Sequence, residues 1–141
     1  MTPFASPDPR REWFQLPALA ASVATARHRV GRRLHRWGLP EAVRDTAELV
    51  ISELVTNVVL HTDSRTVVCR LDGTGHRLRI EVADEGPGLP AVPARAASAD
   101  ARAEHGRGLM LLDALTARWG VHSPAAPGCT VWAELHPRHP A

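Results

Sequence analysis

From Val43 to Val58 the chain carries its most regular pattern: Val43, Ala47, Val50, Ile51, Leu54, Val55 and Val58 recur at helical spacing, with Glu41, Asp45, Glu48 and Ser52 opposite. At about 100° per residue these positions form one broad apolar arc, which predicts an amphipathic helix from near Pro40 to Thr62 packed on a core with one face. Ahead of it, Leu19, Val23, Ala26, Val30, Leu34 and Trp37 predict a first helix over 18–37, with the arginines largely on its other side. Gly38 supplies the stop of that helix, and Pro40 suits the first turn of the next. The stretch REWFQL at 11–16 has the aromatic enrichment of a short strand, after which Pro17 permits a turn or a helix start.

Beyond the second helix the period changes to two. Residues 65–71 and 77–83 read as strands, because Leu78, Ile80 and Val82 alternate with Arg77, Arg79 and Glu81 as one buried and one wetter face require. The turn residues Asp72, Gly73, Thr74 and Gly75 between them predict a hairpin. Residues 89–105 show no apolar period, only Ala, Pro, Ser and charges, which predicts a mobile loop of the length found in lids. The remainder reads as an apolar helix over 109–117 with Leu109, Leu112 and Leu115, a strand at 118–122, a turn at 123–128 and a closing strand at 129–135. No internal repeat is present.

A length of 141 residues predicts one domain, over 11–136, with a disordered leader at 1–10 and a disordered tail at 137–141. No apolar run approaches the ~18 residues of a membrane span, and MTPFASPDPRR lacks the apolar segment of a secretory signal, so a cytoplasmic protein without a membrane partner is expected. Cys69 and Cys129 then read as buried thiols rather than a disulfide, and they are too isolated from His pairs to make a zinc site. All 17 basic side chains are arginine. Their cluster from Arg27 to Arg36 reads as the solvent face of a helix, and without interleaved aromatics it predicts no direct nucleic-acid binding.

Glu53, Asn57 and His61 recur every fourth residue along the edge of the second helix's apolar arc, so their side chains stack on one stripe. An acid and an amide at such a margin suit either a site or the polar flank of an ordinary core. Further on come Asp84-Glu85-Gly86-Pro87-Gly88 at a strand end and Gly106-Arg107-Gly108 at a helix start. Each taken alone also reads as plain turn or cap chemistry.

In this order and spacing the three features resemble the nucleotide-binding fold of the GHKL ATPases, the superfamily of gyrase, histidine kinases and mismatch-repair ATPases. The resemblance runs from about Trp13 to Leu135 and is most specific in ELVTNVVLHT, DEGPG, GRGLMLLDALTARWGV and GCTVWAEL. With no phosphoacceptor domain, the chain is most similar to the anti-sigma factor serine/threonine kinases. The resemblance implies a two-layer α/β sandwich of the Bergerat type: a mixed, mostly antiparallel sheet, helices on one face, and ATP between the helices and a lid at 89–105.

It also implies roles that fit the chemistry of the residues. An amide oxygen from Asn57 suits a hard magnesium ion that keeps most of its ligands as phosphate oxygens and water. Glu53, one turn away, is placed to accept the proton of an attacking hydroxyl or water. Asp84 can accept from an exocyclic amine, the family's way of reading adenine, and a carboxylate there disfavours the guanine carbonyl. Gly86 and Gly88 remove side chains where the base meets the backbone. Gly106 and Gly108 open a helix whose free amides favour phosphates, with Arg107 either touching the terminal phosphates or pointing into solvent. Thr130 matches a family threonine near the adenine, and a solvent-facing strand threonine is its plainer reading. His61 reads as a helix-end group or a phosphate neighbour. The Lys-containing phosphate loop is absent.

The function so implied is ATP-dependent phosphorylation of a small anti-anti-sigma (STAS-type) partner, with a sigma factor bound in exchange. The family also works as dimers, but no dimer face is legible in the sequence. The alternative is a protein-interaction switch that binds ATP and Mg2+ without transferring phosphate.

Overall fold

The computed structural model describes residues 10–84, 107–122 and 128–136, with the side chains of 107–110 outside that description. The two periodicities of the sequence resolve into two layers. Strands β1 (Arg11–Pro17), β2 (Thr66–Gly73), β3 (Leu78–Asp84), β4 (Arg118–His122) and β5 (Thr130–Leu135) form one sheet of order β1-β2-β3-β5-β4. All four pairings are antiparallel. Helices α1 (Ala21–Arg36), α2 (Glu41–His61) and α3 (Arg107–Leu115) supply the second layer, with α2 packed on α1, on α3 and on β3 and β5.

Register explains the core. Phe14, Cys69, Val82 and Val131 lie in one cross-strand row, and Leu71, Ile80 and Ala133 in another. Both rows face the helices and meet Val30 and Leu34 of α1, Ile51, Leu54 and Val58 of α2, and Leu112 of α3. Truncating one of the fully buried leucines or isoleucines to alanine costs about 2–5 kcal/mol. The opposite face carries Trp13, Arg70, Glu81 and Trp132 in one row, and Asp72, Arg79, Glu134 and Arg118 in the next.

Helix ends follow local chemistry. After α1 the chain closes with the 6→1 and 5→2 bonds of a Schellman cap, Leu39 N–H to Leu34 C=O at 3.1 Å and Gly38 N–H to His35 C=O at 2.9 Å. Gly38 takes the left-handed conformation at φ 78° that this cap requires. Pro40 sits just outside α2, at its N-cap, rather than within the first turn. The hairpin turn lies later than the glycines suggest: β2 continues through Gly73, and Thr74 N–H donates to Arg77 C=O at 2.8 Å. The Thr74 hydroxyl accepts from the amides of His76 and Arg77, so a side chain rather than a glycine organises the turn.

Ser52 departs from the single-face reading of α2. It is buried, because α1 covers that flank: its hydroxyl donates to Glu48 C=O at 2.8 Å and accepts from Arg27 at 3.4 Å. Gly31 of α1 allows the approach, since a Cβ there would fall on the Glu48 carboxylate. Among the described residues, no helix is long and apolar enough to cross a membrane.

Candidate nucleotide site

The flank of α2 that turns away from α1 faces α3. Val43 and Thr46 line a cavity together with Ala114, Leu115, Thr116 and Ala117 at the end of α3 and Leu135 and His136 at the end of β5. Continuing along that flank by helical steps leads from Val43 and Thr46 through Val50 to Glu53 and Asn57. The cavity therefore marks one end of the layer, where α2 begins, α3 ends and β3 starts with Leu78 opposite Leu135.

The other end follows from chain direction. Asn57 lies fourteen residues after Val43, about 21 Å along α2. Asp84 lies six residues after Leu78, about 20 Å along β3. Helix α3 runs from Arg107 toward the cavity, so its free N-terminal amides point back the same way. The second half of α2, the end of β3, the start of β5 and the N-terminus of α3 thus gather at one end of the sandwich.

Three side chains at that end are informative. Asp84 is 9% exposed, and burial of a carboxylate demands hydrogen bonds. Its backbone N–H donates to Cys129 C=O at 3.0 Å, and the Cys129 N–H donates to the Asp84 Oδ1 at 3.1 Å. This anchors one carboxylate oxygen and sets the direction of the other. Asn57 is half-buried, and its Nδ2 is buried without a hydrogen-bond partner among the described residues. An unpaired buried amide costs about 1–3 kcal/mol, and rotation of the group exchanges its oxygen and nitrogen. The amide therefore fits a ligand offering either a phosphate oxygen or a hard cation. Glu53, one turn before, is half-buried on the same flank.

Thr130 stands apart from this group. Its register partner is Ala83, so strand alternation puts both on the face opposite the one Asp84 shares with Val82. The residue beside the Asp84 carboxylate is Cys129, which sequence reasoning treated only as a thiol. The sequence signal that could have found it is its place directly after Gly128 at the start of the closing strand. His61 is exposed in the last turn of α2. Gly86, Gly88, Gly106 and the lid expected at 89–105 lie outside the described residues. Arg107 and Gly108 open α3, and their side-chain surroundings are likewise outside the description.

Residues 16–134 match the family model described as the histidine kinase-like ATPase domain. No curated protein has a matching sequence. Among solved structures, the chain is similar to one in the SiaB-SiaC complex from Pseudomonas aeruginosa, with a TM-score of 0.60, 10% sequence identity and 89% of each chain covered. At that identity the likeness is one of fold.

Proposed function

The chain belongs to the histidine kinase-like ATPase family, and from that premise we propose that it is an ATP-dependent serine/threonine kinase of the anti-sigma type, acting on an anti-anti-sigma (STAS-type) protein. The observation that carries the reading is the convergence of Glu53, Asn57 and the buried Asp84 at one end of the sandwich. Partner binding is the feature named for the complex containing the similar chain, and it supports a protein substrate.

Asp84, oriented by the Cys129 amide at Oδ1, would accept from the amino group of adenine through its carboxylate. Asn57 would hold Mg2+ through its amide oxygen. The first amides of α3 receive phosphate oxygens, aided by the positive end of the helix. When bound, MgATP supplies a transferable terminal phosphoryl group whose charge is partly neutralised. Glu53 accepts the proton of the partner's serine hydroxyl as that oxygen takes up the phosphoryl group, and ADP departs. A carboxylate at this point serves transfer, whereas binding alone does not require it.

The test has two stages. Calorimetric titration with MgATP should show saturable binding, at least about tenfold weaker for GTP and for Asp84→Ala. Incubation with labelled ATP and candidate STAS partners should then mark a partner serine, and Glu53→Ala should abolish the label while ATP still binds. Absence of binding at millimolar ATP overturns the nucleotide site. Binding without transfer to any partner favours the nucleotide-dependent switch.

A further inference from the structure

We propose that the open edge of β1 and the arginine cleft above it form a docking site for an extended, acidic segment of a partner protein, which adds to the sheet as a further strand. The inference is independent of the proposed nucleotide site, at the end of β3 and the start of β5.

Three observations converge on this edge. Among the described residues β1 pairs only with β2, so the backbone donors and acceptors along its other side face outward. Such an edge is a template for strand addition. Trp13, at the middle of β1 on the face away from the helices, is 64% exposed. On the helix side, Glu12 is held by Arg33 at 2.7 Å and Arg29 at 3.5 Å, and the Arg29 guanidinium also lies 4.4 Å from the Phe14 ring centroid. Glu12, Arg29, Arg32, Arg33 and Arg36 line a cleft of about 340 Å³.

Charge selects the occupant. The cleft holds four guanidinium groups against one carboxylate, and that carboxylate is already engaged by two of them. Arg32 and Arg36 form no hydrogen bond or ion pair among the described residues, and both are exposed. The four arginines occupy positions i, i+3, i+4 and i+7, a stripe about 10 Å long on α1. A strand laid about 4.8 Å beyond β1 would carry alternate side chains to this stripe, roughly 6.7 Å apart, and the intervening ones toward Trp13. Acids at the first set and apolar residues at the second satisfy both surfaces.

A second copy of the chain fits poorly. Antiparallel pairing of β1 with its copy would bring together two α1 helices, each with five arginines and no acid between Ala21 and Arg36. Nucleic acid would meet the cations but leave the strand edge unused.

Fluorescence anisotropy with a labelled octapeptide of alternating Glu and Val tests the proposal. The comparison ligands are the matching Lys-Val peptide, the Glu-Val peptide N-methylated at every amide, and an eight-nucleotide oligodeoxythymidine. The acidic peptide should bind, and affinity should fall at least tenfold with Lys for Glu, with N-methylation, and in the Arg32→Glu/Arg36→Glu variant. Trp13→Ala should weaken binding severalfold, and the peptide should shift Trp13 emission. These exposed substitutions should leave the circular dichroism spectrum and the thermal midpoint unchanged. The proposal is overturned by absence of peptide binding at millimolar concentration, by equal binding of the N-methylated peptide, or by tighter binding of the oligonucleotide. Dimers in sedimentation that dissociate on Trp13→Ala would likewise assign the edge to self-association and overturn it.

Discussion

Gly120 on β4 faces Trp132 on β5 across the ladder, and the indole covers it so closely that a Cβ at 120 would come within 2.8 Å of the ring. The ring has little freedom to yield, because the Arg79 guanidinium lies 4.4 Å and that of Arg118 5.6 Å from its centroid. Gly120→Ala is therefore an overpacking change and should lower stability by about 1–3 kcal/mol. Urea denaturation followed by tryptophan emission measures it, and an unchanged midpoint would show that the indole moves freely.

The same cluster contains Glu134, whose side chain is 4% exposed on the face without helices. Arg79 bonds it at 2.9 Å, and Arg77 and Arg118 approach within 3.6 Å and 3.8 Å. Removing a partner from a buried pair costs about 3–5 kcal/mol, but these arginines are between 30% and 67% exposed, so water recovers part of that loss. Glu134→Ala should cost about 2 kcal/mol in denaturant titrations and Glu134→Gln less, since the amide oxygen keeps an acceptor for Arg79.

Glu53 and Asn57 share a flank of α2 but are assigned different tasks, and substitution should separate them. Glu53→Gln should leave ATP affinity within about threefold and slow phosphoryl transfer by roughly 100-fold or more, the usual contribution of a positioned base. Asn57→Ala should weaken binding of ATP with magnesium far more than binding without it. Equal losses in both conditions would remove Asn57 from the metal. Because Asn57 Nδ2 has no hydrogen-bond partner among the described residues, its truncation should cost the ligand-free protein little stability.

Burial pushes the Cys69 thiol up to about 12, with Arg29 opposing weakly. The unfolded thiol ionises near 9, so the stabilisation is complete below that pH and is lost as pH rises toward 12. The chain has no tyrosine and no lysine, so few other groups titrate in this window. The unfolding free energy from urea titrations between about pH 8 and about pH 10.5 should fall, by about 1.4 kcal/mol per pH unit above 9. Cys69→Val should flatten that slope. Ellman's reagent should leave native Cys69 unmodified, as a buried neutral thiol is inert.

What could be read from the chain alone was whatever depends on neighbours in sequence. Among the described residues the 3.6 and 2.0 periods located the three helices and the β2–β3 hairpin within a few residues, because each element must show one apolar side to a common core, while β1 followed from its aromatic enrichment. The order of Glu53, Asn57, Asp84 and the Gly106-Arg107-Gly108 motif pointed to the family for the same reason, since their spacing along the chain is a property of sequence. What depends on neighbours in space was decided only by the tertiary structure. Ser52 is buried because α1, not solvent, lies against it. Thr130 and Cys129 stand differently toward Asp84 because the pairing of β3 with β5 sets Ala83 opposite Thr130 and brings the Cys129 amide to Asp84, and a one-residue difference in register reverses the face of every side chain. The arginines of α1 read as an ordinary wet helix face in the sequence, whereas the sheet order places Glu12 and a strand edge with no partner among the described residues beneath them. Periodicity records which side of an element is buried, but the partner that buries it is chosen by packing among elements distant in the chain.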